Sequence, residues 1–189
     1  ECERREQTLR DWAEQAGLAV DDVRRRLETG LLYDVFERGQ IGPAAFHRHV
    51  CDLLGVELEW PRFAEGWNAM LGRPVDGIDE LLERLDDRLR LVVLSNTNET
   101  HAAIWRRDLA RLLRHFEAVF TSHEIGARKP EPEAFQHVVE YLALPPEQIA
   151  FFDDRQSNID AATALGLQAR RVESPLDLRK HLQEFGVLE

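Results

Sequence analysis

The chain has 189 residues, of which 43% are hydrophobic and 31% are charged, a composition typical of one globular α/β core with a small accessory module. Acidic residues outnumber basic ones by 35 to 24, and the formal net charge of −11 disfavours nucleic acid or an anionic membrane as a partner. The two cysteines, Cys2 and Cys51, lack metal-ligand spacing, and no apolar run approaches the roughly 20 residues of a membrane span. We therefore expect a cytoplasmic protein without nucleic-acid or membrane partners.

The first part of the chain has the apolar spacing of successive helices. The apolar residues that recur at helical intervals are Leu9, Trp12, Ala13 and Ala16, then Phe46, Val50, Leu53 and Leu54, then Trp60, Phe63, Trp67 and Leu71. Pro43 is well placed in the first turn of a helix, after a glycine-containing boundary at 39–42. Residues 1–73 are predicted to form a helical module, with Trp60 and the other tryptophans in its core or in that of the following part.

After Pro74 short apolar strands alternate with amphipathic helices, the pattern of right-handed crossovers in a parallel sheet. The four predicted strands are Leu91 to Leu94, Ala118 to Thr121, Ile149 to Phe152, and Gln168 to Val172. Residues 74–189 are therefore predicted to form a doubly wound, Rossmann-like α/β module. In such sheets ligands bind outside the carboxyl ends of the strands, so the residues that follow each strand are the candidates for a site.

The first predicted strand runs into Ser95 and Asn96, just before a helix that begins near Glu99. A hydroxyl and an amide at a helix N-terminus can bind an anion. The alternative is purely structural, because Asn98 could simply cap the helix.

The third predicted strand ends in two adjacent carboxylates, Asp153 and Asp154, and Asn158 follows four residues later. Two adjacent carboxylates at the edge of an apolar core repel each other and lose hydration. A cation or hydrogen-bond donors must compensate for both costs. Mg²⁺ suits this position, because it takes hard oxygen ligands, often one or two protein carboxylates. Helix capping by Asp154 or Ser157 is the alternative.

Between these strand ends lies Lys129, directly before Pro130 and the helix that Pro132 opens. Its ammonium group could reach a phosphoryl oxygen as a point charge, whereas the plain alternative is a lysine on a surface loop. A hydroxyl residue, a lysine and an acidic pair thus follow successive strands in that order.

This order, with Leu94-Ser95-Asn96-Thr97, Arg128-Lys129-Pro130-Glu131 and Phe151-Phe152-Asp153-Asp154 followed by Asn158, resembles the second to fourth motifs of the haloacid dehalogenase superfamily. The helical module resembles that family's inserted cap, and residues 36–41 resemble the cap of its sugar-phosphate phosphatase branch. The resemblance covers most of the chain and implies a hydrolase of the phosphatase type with a small phosphate ester as substrate, acting as a monomer or homodimer.

The resemblance also implies roles for individual residues. Ser95 and Asn96 would hold the transferring phosphoryl group, and Lys129 would neutralise its charge. Asp154 would be the direct Mg²⁺ ligand, with Asp153 as a second ligand or a support and Asn158 orienting the loop.

One motif of the family has no match. The nucleophilic aspartate that should end a first strand before the cap is absent, and Asp11 lies in a helical stretch, so it is not assigned that role. We expect the encoded chain to extend upstream of Glu1 by about 10 to 20 residues, with that strand between the strands at Leu91 and Ile149. Direct pairing of those two strands would contradict this expectation.

Three other functions are compatible with parts of the pattern. A haloacid dehalogenase has the same scaffold, but the acidic pair disfavours it. A receiver domain has similar residues, but there the acidic pair comes first and the lysine last. A non-catalytic phosphate-binding protein is favoured only by the missing nucleophile.

Overall fold

The structure, a computed structural model, describes residues 2–29, 32–72, 75–85 and 88–188. Two parts follow each other along the chain: a helical segment (residues 2–29 and 32–72) and an α/β segment (residues 75–85 and 88–188). The predicted boundary between residues 73 and 74 lies outside the described residues. None of the helices in the described ranges is long and apolar enough to cross a membrane.

The helical segment contains five helices. They are α1 (Cys2–Ala16), α2 (Val20–Thr29), α3 (Leu32–Glu37), α4 (Pro43–Leu54) and α5 (Trp60–Ala69). Pro43 opens α4, and Gly55 ends it with a left-handed backbone at φ 74°. The predicted apolar stripes form one core, in which Phe36, Phe46 and Trp67 contact one another. Trp60 was predicted to be buried but is 40% exposed, because it occupies the first turn of α5 at the end of its stripe.

The α/β segment contains the four predicted strands, each within one residue of its predicted start. The strands are β1 (Val92–Ser95), β2 (Ala118–Thr121), β3 (Ala150–Asp153) and β4 (Gln168–Arg171). The helices are α6 (Ile78–Leu82), α7 (Glu99–Asp108), α8 (Ala110–Leu113), α9 (Ser122–Ile125), α10 (Pro132–Leu142), α11 (Gln156–Ala164) and α12 (Pro175–Glu184). The α/β architecture with parallel strands is as predicted.

The strands form two parallel pairs rather than one continuous sheet. Val92 is paired with Ala118 in the β1–β2 ladder, and Ala150 is paired with Gln168 in the β3–β4 ladder. Among the described residues no ladder joins β1 to β3. The pairing that would have contradicted the expected intervening strand is therefore not observed, and that strand remains a prediction.

The turn after α3 presses against the α/β segment at Gly39. This glycine has φ +67°, and a Cβ atom added to it would lie 2.1 Å from the carbonyl oxygen of His123. Only a residue without a side chain allows the two backbones to approach so closely. The contact fixes α3 beside α9 and beside the loop that leads to Lys129.

We expect Gly39→Ala to destabilise the protein far more than Gly17→Ala. Both glycines have positive φ, but a Cβ at Gly17 (φ +62°) meets nothing within 4 Å. Both variants should therefore lose about 1–2 kcal/mol from the left-handed backbone, and Gly39→Ala should lose about 1–3 kcal/mol more from overpacking. Denaturant unfolding of the two variants measures the difference, and equal losses would show that this contact does not form in solution.

Candidate active site

Lys129 lies where the carboxyl ends of β1 and β3 come together. Its Nζ donates hydrogen bonds to the Leu94 carbonyl oxygen and to Asp153 Oδ2, both at 2.7 Å. The lysine side chain is 11% exposed and that of Asp153 is 7% exposed. Lys129 is therefore not a surface-loop lysine, and the structure brings it together with the acidic pair as the order of the motifs predicts.

Asp153 is surrounded by hydrogen-bond donors. In addition to Lys129, the Arg155 backbone N–H (2.9 Å) and Asn158 Nδ2 (2.8 Å) donate to its Oδ1. Burial alone would raise the pKa of Asp153, but the Lys129 ammonium group, then the other donors, hold it below its ordinary value. Both oxygens of Asp153 thus accept hydrogen bonds, and the role of Asn158 in orienting the loop stays a prediction that its hydrogen bond to Asp153 supports.

Asp154 differs from Asp153 in both exposure and pairing. It is exposed, and no described group forms a hydrogen bond or ion pair with its carboxylate; its contact with Arg171 is through the backbone carbonyl oxygen. Neither Asp154 nor Ser157 caps α11, whose N-cap residue is Arg155. A free carboxylate beside a fully paired one fits a hard cation such as Mg²⁺, with Asp154 as the oxygen ligand and Asp153 as the support.

Asn96 has a structural task that the sequence did not indicate. Its Oδ1 accepts from the Lys129 backbone N–H (2.8 Å), and its Nδ2 donates to the Lys129 carbonyl oxygen (2.7 Å). The side-chain amide therefore braces the lysine, and the predicted contact of Asn96 with phosphate stays a prediction. Ser95, half-buried at the end of β1, has no hydrogen-bond partner for its hydroxyl among the described groups.

Thr97 and Ser122, which were not predicted as site residues, join the loops after β1 and β2. The buried Ser122 hydroxyl accepts from the Thr97 backbone N–H (2.9 Å) and donates to the Thr97 carbonyl oxygen (2.8 Å). Asn98 caps α7 by accepting from the His101 backbone N–H, as its structural interpretation predicted. The position of Ser122 directly after β2 was the one available signal for its role.

His101, in the first turn of α7, connects the two segments. Its ring stacks on Trp67 with centroids 5.1 Å apart, and its Nε2 lies 3.0 Å from the Trp67 carbonyl oxygen. Burial lowers the pKa of His101, which favours the neutral ring.

A cavity of about 450 Å³ lies beside His101, and its wall includes Arg24, Glu28, Tyr33, His49, Trp67 and His101. Most of the remaining lining residues are apolar residues of the helical segment, and none of the lining residues belongs to the Lys129 site.

Comparisons of the sequence and the fold with known proteins identify hydrolases as relatives of this chain. A curated D-ribitol-5-phosphate phosphatase from Bacteroides thetaiotaomicron is 27% identical over 185 residues, covering 92% of this chain and 89% of the relative. Flavin mononucleotide hydrolase 1 of Arabidopsis thaliana is 31% identical over 120 residues, covering 60% of this chain and 46% of the relative. A HAD family enzyme of B. thetaiotaomicron, solved as a magnesium complex, has a TM-score of 0.71 at 27% identity, covering 78% of this chain and 77% of that chain.

The family model of the haloacid dehalogenase-like hydrolases matches residues 3–166, which cover most of both segments and every residue of the Lys129 site. The chain therefore belongs to the haloacid dehalogenase-like hydrolase family.

Proposed function

We propose that this protein is a Mg²⁺-dependent phosphatase that hydrolyses a small, hydroxylated phosphate ester. The observation that carries the proposal is that the two adjacent carboxylates at the end of β3 differ in pairing and exposure. Asp153 is paired with Lys129 (2.7 Å), whereas the adjacent Asp154 offers an exposed, unpaired carboxylate within the described part of the chain. An ammonium group and a cation-binding carboxylate at the same edge suit a substrate that carries several negative charges.

The residues around this pair have distinct tasks in the proposed reaction. Lys129 would stabilise the charge that develops on the phosphoryl oxygens, and the Ser95 hydroxyl would donate to one of them. Asn96 would act through the Lys129 backbone that it braces. Bound Mg²⁺, held by Asp154, would supply further stabilisation of phosphoryl charge.

The attacking group is proposed to be an aspartate on a strand between β1 and β3, which would form and then lose an aspartyl-phosphate. No described residue is assigned this role, and Asp11 lies on α1, in the helical segment. Phosphate trapped on an acidic side chain during turnover, and located by mass spectrometry in the protein expressed from its full reading frame, would identify the nucleophile.

A polyol or sugar phosphate is the substrate class that the comparisons favour. The cavity beside His101 is lined by no residue of the Lys129 site, so the choice of substrate does not rest on it. A relative that covers 92% of this chain is named for D-ribitol-5-phosphate. Linear and cyclic C4 to C6 monophosphates are therefore the first substrates to test.

Phosphate release from these esters and from an aryl phosphate, with Mg²⁺ and with EDTA, tests the proposal. We expect release that depends on Mg²⁺ and is faster for one polyol or sugar phosphate than for flavin mononucleotide. Halide release from a 2-haloacid in EDTA would indicate the dehalogenase alternative. Phosphate binding by calorimetry without any turnover would indicate the non-catalytic alternative.

A further inference from the structure

Residues on either side of Lys129 in the sequence form ion pairs between the two segments. Arg128, directly before it, and Glu131, two residues after it, both pair with residues of the helical segment. Asp34, Glu37 and Arg38, which belong to α3 and the turn after it, provide the partners. We call these five residues the interdomain clamp.

In the Arg128 half of the clamp, the Glu37 side of the contact is buried and the Asp34 side is exposed. Arg128 Nη2 lies 2.8 Å from Glu37 Oε2, with side-chain exposures of 18% and 6%, and its Nη1 pairs with Asp34. The Glu37–Arg128 contact is an ion pair without hydrogen-bond alignment. Burial raises the pKa of Glu37, and Arg128 opposes that rise. A buried carboxylate is costly unless a cation stays beside it, so Glu37 ties Arg128 to the helical segment.

The Arg38 half of the clamp acts on the backbone next to Lys129. The Arg38 guanidinium pairs with both carboxylate oxygens of Glu131, and Oε2 of the same carboxylate accepts from the Arg128 backbone N–H at 3.1 Å. Arg38 therefore orients a carboxylate that in turn holds the loop immediately before the lysine. Gly39, which follows Arg38, places this turn against His123.

On the opposite side, the lysine is held from within the α/β segment. Asn96 brackets its backbone with two hydrogen bonds, and Asp153 holds its ammonium group. The loop is thus fixed from two directions, and only one of them depends on the helical segment being docked.

From these contacts, and resting on the proposed phosphatase function, we infer that Glu37 and Arg38 are positioning residues that couple docking of the helical segment to the placement of Lys129. When the helical segment moves away, Arg128 and Glu131 lose their partners in that segment, and the lysine keeps its contacts with Leu94, Asn96 and Asp153. Full stabilisation of phosphoryl charge then requires the docked arrangement.

A double-mutant cycle on Arg38→Met and Glu131→Gln tests this inference. Each single variant should lower kcat by about tenfold or more, since small misplacements of a catalytic group can cost up to about a hundredfold. The double variant should be no slower than the slower single variant, because both changes break the same link. Glu37→Gln, which keeps the shape of the side chain, should also lower kcat more than it changes KM.

The matched control is the Arg106–Glu124 ion pair, which joins α7 to α9 within the α/β segment. Arg106→Met and Arg106→Gln leave the hydrogen bond between Thr121 and Glu124 in place and should keep kcat within about twofold, because a partly exposed ion pair contributes little. A merely structural clamp would lower the melting temperature of the clamp variants and leave kcat at 25 °C unchanged, and that result would overturn the inference. If the double variant loses kcat by the product of the two single losses, that result would overturn the inference as well.

Amide hydrogen exchange separates this inference from the proposed function. In the clamp variants, exchange at residues 126–131 should become faster, and in the control variants it should not. If the wild-type protein releases no phosphate from any ester, the proposed function fails, but the exchange experiment still decides whether the helical segment holds the lysine loop. Unchanged exchange in Arg38→Met and Glu37→Gln would show that it does not.

Discussion

Lys129→Met is expected to reduce phosphate release by about a hundredfold to a thousandfold, the usual effect of removing a donor that stabilises transition-state charge. The same change should also lower the free energy of unfolding by about 1.5–3 kcal/mol, because Asp153 loses a charged donor in a buried position. From the sequence alone a loop lysine should contribute little to stability. The 2.7 Å ion pair between two largely buried side chains changes that expectation.

The double variant Lys129→Met/Asp153→Asn separates the two effects. Replacing the carboxylate by an amide removes the uncompensated charge, so part of the stability should return while activity stays low. Lys180→Met is the matched control, because Lys180 has a side chain that is 72% exposed on α12, and it should be neutral in both measurements. Normal turnover in Lys129→Met would contradict the role proposed for the lysine.

The pH dependence of stability adds an independent measurement on Lys129→Met. Because the pKa of Asp153 is lowered in the folded protein, its contribution to stability is present above the ordinary value of 3.8 and is lost as pH falls through the lowered value. Without Lys129 the pKa of Asp153 should rise, so this acid-dependent loss should shrink. Denaturant unfolding between about pH 5 and pH 2 would show a smaller slope in the variant than in the wild type.

Asp154→Asn is expected to abolish most of the Mg²⁺-dependent hydrolysis while leaving the fold intact. A bound metal supplies several kcal/mol of transition-state stabilisation, which corresponds to a loss of about a hundredfold or more. The side chain is exposed and unpaired among the described residues, so the free energy of unfolding should change by no more than about 0.5 kcal/mol.

Calorimetric titration with Mg²⁺ gives a measurement on Asp154→Asn that does not depend on turnover. Binding should weaken strongly in Asp154→Asn and stay unchanged in Asp160→Asn, a control whose exposed carboxylate accepts a hydrogen bond from Gln156 of the same helix. Equal Mg²⁺ affinity in wild type and Asp154→Asn would show that this carboxylate is not the ligand. Asp153→Asn should instead lower stability, because three donors lose their charged acceptor.

The sequence by itself determined the parts of this protein that depend on local chemistry. Short apolar runs between amphipathic helices predicted β1, β2 and β3, because a strand buried in a parallel sheet is apolar over its length. The fourth predicted strand, β4, instead contains Gln168, Arg170 and Arg171. Apolar spacing also predicted the helical core around Phe46 and Phe63, both almost fully buried. Polar residues directly after the strands indicated the site, because the carboxyl ends of parallel strands lie at one edge of a sheet.

Tertiary structure decided which of these polar groups are free and which are paired. Asp153 and Asp154 are adjacent in sequence, yet only contacts with Lys129 and Asn158 distinguish the support from the candidate ligand. The two hydrogen bonds by which the Asn96 side chain braces the Lys129 backbone were likewise not indicated by the sequence. Burial of Glu37 against Arg128 joins residues from separate segments. Hydrogen bonds and ion pairs between residues so far apart in the chain produce no periodic pattern in the sequence. They can therefore be identified only in the folded chain.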